Sequence, residues 1–261
     1  MKNTFVMLMA IMCVIFMMSG CQKIDPDSLQ ESVPQLNVTI PTTNPITEPV
    51  ESKPEHSDLY VPGLPVEDVI LYFNEVCLDA EFVNSGDSSR LQKWTVPIYY
   101  QINGDPTSDD MTVLENFINW LNTVDGFPGM YESSDNFQTN MRIYFCSQEE
   151  LLNRMGANFV DMDGAVTFWY ENDEIYDCMI CYRTDLTQYL RNSVILEEIY
   201  NGLGPIQDTD LREDSIIYSG FSEPQQLTAV DELLLKLLYH PNMKCGLQAG
   251  ECEVIIRGLY Y

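Results

Sequence analysis

Ser193-Val-Ile-Leu-Glu-Glu-Ile-Tyr-Asn-Gly-Leu-Gly-Pro-Ile-Gln-Asp208, followed by Asp214-Ser-Ile-Ile-Tyr218 and Leu227-Thr-Ala-Val-Asp231, is the stretch on which the reading of this 261-residue chain turns. Its first part predicts a helix over about 190–203. Ile195, Ile199 and Leu203 recur at four-residue steps on one face, while Glu197 and Asn201 share another. Gly204 suits a left-handed helix stop, and Pro205 cannot continue the helix. Thr228 with Asp231 three residues on is a capping pair for a second helix, Leu233 to Tyr239.

Working outward, the apolar positions from Glu67 to Asn84 fit either a helix or a strand. Trp94, Val96, Ile98, Tyr100 and Ile102 alternate with Thr95, Pro97, Tyr99 and Gln101, which predicts one strand with a buried face and an edge or bulge at Pro97. Ser108 is placed to cap a helix that buries Met111, Leu114, Ile118 and Leu121. Further strands are predicted over Met141–Phe145, Ala165–Tyr170 and Cys178–Arg183. Ser147 to Glu150 has the form of a capping box opening a short helix that ends at Gly156. Strands alternating with helices predict an α/β layered domain.

The first twenty residues hold Lys2, an apolar run from Phe5 to Met18, and Ser19-Gly20 directly before Cys21. That is the pattern of a lipoprotein signal, cleaved so that Cys21 carries the lipid. Residues 21–65 are rich in Pro, Thr, Glu and Ser and are expected to form an extended tether. The expected address is a bacterial membrane, with the chain lipid-anchored and facing outward. A net charge of −27 repels phosphate backbones, so nucleic acid is not an expected partner.

Two resemblances sharpen this. In the metzincin peptidases a helix carries His-Glu-x-x-His-x-x-Gly-x-x-His, whose histidines bind zinc and whose Glu is the general base. The stretch from Ser193 resembles that helix. With Gly204 laid on its glycine, Glu198 matches the base, while Glu197, Asn201 and Gln207 stand where histidines belong. Asp214-Ser-Ile-Ile-Tyr218 resembles the methionine-turn segment, with Ile217 in place of Met. The chain is also similar to the bacterial lipoproteins that share domain of unknown function 2927. The shared marks are Glu-Glu-x-x-(Gln or Asn)-x-Leu-Gly, Asp-Ser-Ile, Leu-Thr-x-x-Asp and Leu-Leu-Tyr-x-Pro, preceded by Tyr72-Phe-Asn-Glu-Val76 and Lys93-Trp-Thr-Val-Pro-Ile98. The resemblance implies a metzincin-like domain over residues 66–250, with a mixed sheet, a central active-site-like helix, a C-terminal helix and a tail from 251 to 261. It implies no reaction.

His56 and His240 are the only histidines, so no three-histidine zinc site can be built within the chain. No cofactor is expected. The alternative is calcium or another divalent cation on oxygens of Glu197, Asn201, Gln207 and Asp208; the competing reading has those groups hydrogen-bonding one another. Glu198 is the catalytic candidate only if the protein is an enzyme, and its structural alternative is to hold the turn after Gly204. Six cysteines remain beyond Cys13 and Cys21: Cys77, Cys146, Cys178, Cys181, Cys245 and Cys252. An even count outside the cytoplasm favours local disulfides, with Cys245 to Cys252 expected first. Phe168, Trp169, Tyr170, Tyr176, Tyr182 and Tyr189 are either core or the lining of a peptide or glycan groove. The expected function is non-catalytic binding of a peptide or cell-envelope ligand. A metal-dependent hydrolase using Glu198 and a structural envelope-assembly component are the alternatives.

Overall fold

The computed structural model describes residues 58–78, 90–134, 138–220 and 224–260. The signal, Cys21, His56 and the tether up to residue 57 lie outside them. In chain order the elements are α1 (Val66–Leu78), β1 (Lys93–Trp94), β2 (Ile98–Gly104), α2 (Ser108–Leu121), β3 (Met130–Glu132), β4 (Met141–Cys146), α3 (Gln148–Met155), β5 (Gly164–Glu171), β6 (Glu174–Arg183), α4 (Gln188–Asn201), α5 (Ala229–Tyr239) and α6 (Ala249–Leu259). This is an α/β fold around one six-stranded, mostly parallel sheet.

Parallel pairing joins β3 to β2, β2 to β4 and β4 to β6, and β5 alone runs antiparallel, against β6. β1 pairs with Glu174 and Ile175 of β6. Because β5 takes the opposite side of those same residues, β1 lies in line with β4. Asn172 and Asp173, at φ 54° and 66°, form the two-residue turn of the β5–β6 hairpin. Positive φ at both central positions matches the strand twist, and short polar side chains tolerate it.

The single strand expected over Trp94–Ile102 is two. Pro97 has no N–H for a ladder, and the chain shifts there from beside β6 to beside β4; Val96, expected inside, is 47% exposed. The cap of α2 is Thr107, whose hydroxyl accepts from Asp110 N while the Asp110 carboxylate accepts from Thr107 N, and not Ser108. From Glu67 to Leu78 the ambiguity resolves to helix α1; residues 79–84 lie outside the described residues. β3 has three residues, too few to show a period.

Strand alternation sorts the sheet into two faces. Ile143, Phe145, Val166, Ile180 and Tyr182 enter the main core with α1, α2, α4 and α5. Cys146, Ala165 and Cys181 point the other way, into a small second core with Leu151 of α3 and Phe159. The folded region also exceeds the expected limits at both ends. Leu59 and Leu64, assigned to the tether, are buried in the main core. Residues 251–261, read as a tail, contribute most of α6, which packs on α1 through Cys252 and Ile256. The Tyr260 hydroxyl donates to Leu64 O at 2.6 Å.

Candidate functional site

α4 is buried almost all round, as expected for a helix lying between a sheet and other helices. Its amino end is fixed by an ion pair between Arg191 and the fully buried Asp110 of α2, to which Gln188 also donates at 2.7 Å. At its carboxyl end Trp94 Nε1 donates to Gly202 O at 2.9 Å and the Tyr239 hydroxyl donates to Leu203 O at 2.7 Å. These bonds take carbonyls that a helix end leaves without partners. The helix stops at Gly202, two residues before the expected stop. Gly204, at φ 129°, makes the following turn, and a Cβ there would lie 2.6 Å from Gln92 O.

The segments after the turn are clasped together. Ser215 donates to Asp231 at 2.7 Å, Tyr72 and Ser215 share a hydrogen bond of 2.8 Å, and Ile216 N donates to Asp231 at 3.3 Å. Thr228 closes the capping box with Asp231. Asp-Ser-Ile and Leu-Thr-x-x-Asp are therefore one buried network, with the Asp231 pKa raised by burial against the lowering effect of these bonds. Lys93 likewise donates to Leu238 O at 2.8 Å and to Met243 O, holding β1 on the end of α5.

The face of α4 that carries Glu197 and Glu198 is different in kind. Glu198 is 8% exposed, and its side chain lies under the first residue of β5, where a Cβ on Gly164 would come within 2.7 Å of Glu198 Oε1. That places it against β5. Glu197 is enclosed by protein yet keeps partial solvent contact. Both carboxyls are pushed well above the usual range, first by burial, then by Asp208 and, further off, by Asp163. The structure thus brings Glu197, Glu198 and Asp208 together. Asp163, missed in the sequence, belongs to the same field; its only signal is its place before the glycine that opens a strand.

Asn201, 2% exposed, does not hydrogen-bond its neighbours as expected: Asn201 Oδ1 and Gln207 Oε1 are buried and accept no hydrogen bond. Among the described residues no group of three or more His, Cys, Asp or Glu is arranged to hold a metal. His240 follows α5 and accepts from Asn242 N through Nδ1 at 3.1 Å. Acids with raised pKa values beside open acceptors can donate a hydrogen bond or exchange a proton.

Phe168 and Tyr182 are core, Trp169 and Tyr170 are partly buried on β5, and Tyr176 and Tyr189 are about half exposed. The expected aromatic groove is therefore split. All six cysteines of the described region are free. Cys245 lies at Lys93 O and Cys252 lies near Cys77, so the expected Cys245–Cys252 bridge is absent. Cys178 and Cys181, three apart on β6, point to opposite faces of the sheet.

Fold and site together define an α/β protein with a central buried helix that presents an acidic pair beside an antiparallel edge strand. The chain belongs to the family described as protein of unknown function (DUF2927), whose model matches residues 67–258. No curated protein matches it.

Proposed function

We propose that this protein is an outward-facing bacterial lipoprotein, anchored through Cys21, whose zincin-like domain binds an extended peptide without cleaving it. The observation that carries the reading is β5. It pairs only with β6 among the described residues, so its other edge offers main-chain donors and acceptors for an added strand, the geometry of β-augmentation. Trp169 and Tyr170, at an irregularity in that pairing, flank this edge, and Gly164 brings it against Glu198. A mixed sheet whose one antiparallel strand precedes a Glu-bearing helix supports the metzincin-like reading, as does the helix α5 that follows. Histidines are missing from the ligand positions, which supports binding over hydrolysis.

The test is selection of peptides from a displayed random library on the full chain. Enriched peptides should lose binding when alternate backbone amides of the peptide are N-methylated, which removes the donors that pairing with the outer edge of β5 needs. No enrichment, or binding indifferent to that methylation, refutes the reading. The second reading, a hydrolase, rests on the raised pKa of Glu198, which suits a general acid or base. It requires turnover of some peptide substrate that Glu198→Gln abolishes.

A further inference from the structure

The second core, on the sheet face away from α4, holds two thiols in direct contact. Tyr144 of β4 lies opposite Cys181 of β6, so Cys146, two residues on, shares a face with Cys181 as its diagonal neighbour. The two side chains interact within this cluster and are 4% and 0% exposed. Met155 and Met162 pack against the same cluster, and the Thr167 hydroxyl donates to Met155 Sδ at 3.7 Å. Arg154 is held above by stacking on Tyr144 at 3.7 Å and by an ion pair with Glu150. Cys146 also directly precedes Ser147, the N-cap of α3.

A direct disulfide fits this pair poorly. On a parallel pair, a strand spacing of about 4.8 Å and a two-residue step of about 6.6 Å put diagonal Cα atoms about 8 Å apart, whereas a disulfide spans roughly 4.4–6.8 Å. An atom placed between the sulfurs fits better. Zinc takes four N, S or O ligands, and the donors here are two thiols and thioethers in an apolar setting. That donor set selects a soft ion of low coordination number.

We propose that Cys146 and Cys181, assisted by the Met155 thioether, bind one soft monovalent metal ion of the copper(I) class. Binding displaces both thiol protons to solvent and forms two metal–sulfur bonds with no change of oxidation state. The resulting bis-thiolate carries one net negative charge, which the Arg154 guanidinium faces.

The experiment is a titration of the full chain, reduced and anaerobic, with copper(I) held by a chromophoric chelator such as bicinchoninate. The expected result is withdrawal of a single equivalent, with a thiolate-to-metal absorption band, lost in Cys146→Ser and in Cys181→Ser and weakened in Met155→Leu. Cys77→Ser and Cys252→Ser, which alter the other buried thiol pair, should leave it unchanged. No withdrawal, withdrawal that survives both Cys146→Ser and Cys181→Ser, or zinc bound equally well through the same two residues would overturn the assignment. If the serine variants fail to fold, alkylation of the wild-type chain decides: copper must protect Cys146 and Cys181 while Cys245 stays reactive, and lack of protection overturns it.

Discussion

Asp231→Ala tests whether the Asp-Ser-Ile and Leu-Thr-x-x-Asp segments are structural. Asp231 is fully buried and accepts from four donors: Ser215 Oγ, Ile216 N, and the backbone and hydroxyl of Thr228. Thr228 sits at a helix start within reach of water, and the Ser215 hydroxyl can donate to Tyr72 instead, so alanine orphans Ile216 N and removes one hydrogen bond of Ser215. At about 1–3 kcal/mol for the orphaned donor and about 0.5–1.5 kcal/mol for the lost bond, the loss is roughly 1.5–4.5 kcal/mol. Removing a carboxylate whose charged form burial disfavours offsets part of this, and a net cost of about 2 kcal/mol follows. Against a domain stability of about 5–15 kcal/mol the variant still folds. Urea unfolding should show a lower midpoint at unchanged slope. Ser215→Ala should cost less, about 1–2 kcal/mol, and the double variant should be non-additive by about 1 kcal/mol, because the two residues share a bond. A cost for Asp231→Ala below about 1 kcal/mol, or full additivity, would refute the clasp.

Three further outcomes follow from the buried charges. Lys93, pulled down to about 8 from 10.5, chiefly by burial, binds fewer protons folded than unfolded between those values. Stability should therefore rise with pH across that window, by up to about 3 kcal/mol at about 1.4 kcal/mol per unit. The difference between wild type and Lys93→Met in urea unfolding isolates it, and a difference independent of pH would disprove it. Glu197 and Glu198 have raised pKa values, so their contribution is fully present below the unfolded carboxyl pKa and is lost as pH rises through their folded values. Glu198→Gln should accordingly raise the neutral-pH melting temperature and flatten the pH profile; a lower melting temperature would show the carboxyl to be paired. Arg191→Met should cost about 3–5 kcal/mol in chemical unfolding by stranding Asp110 in the core, and a loss under about 1 kcal/mol would exclude that role.

Helices α4 and α5 were legible because their information is local. A four-residue apolar step and a Thr–Asp capping pair lie within a few positions of one another, and Thr228 with Asp231 makes the expected box. The break between β1 and β2 was hidden because alternation continues across Pro97 while the neighbouring strand changes. β3 was invisible for want of length. Cysteine pairing was misread because nearness in sequence does not fix direction: Cys245 and Cys252 are seven apart, yet one faces β1 and the other faces α1. Glu197, Glu198 and Asp208 could be named from the sequence, but their mutual field could not, since it depends on how the turn after Gly204 returns the chain.

Two kinds of buried polar group separate the scaffold from the site. Asp110, Lys93, Ser215 and Asp231 each have identified partners that join elements distant in sequence, and Trp94 does the same through its indole N–H. Residues from three of the stretches shared with the family thus act as clasps that set the ends of α4 and α5. The α4 face with Glu197, Glu198 and Asn201 lacks this pairing. Burial and the charge of Asp208 raise the pKa of both carboxyls, and Asn201 Oδ1 is buried without a donor. Leaving buried polar atoms unpaired costs stability, and folding alone gives no reason for them at this place. Asp110, Lys93 and Asp231 have their partners within the scaffold, whereas this cluster lies beside β5, whose outer edge pairs with no described strand, which is the arrangement a ligand that brings its own hydrogen-bond donors would complete.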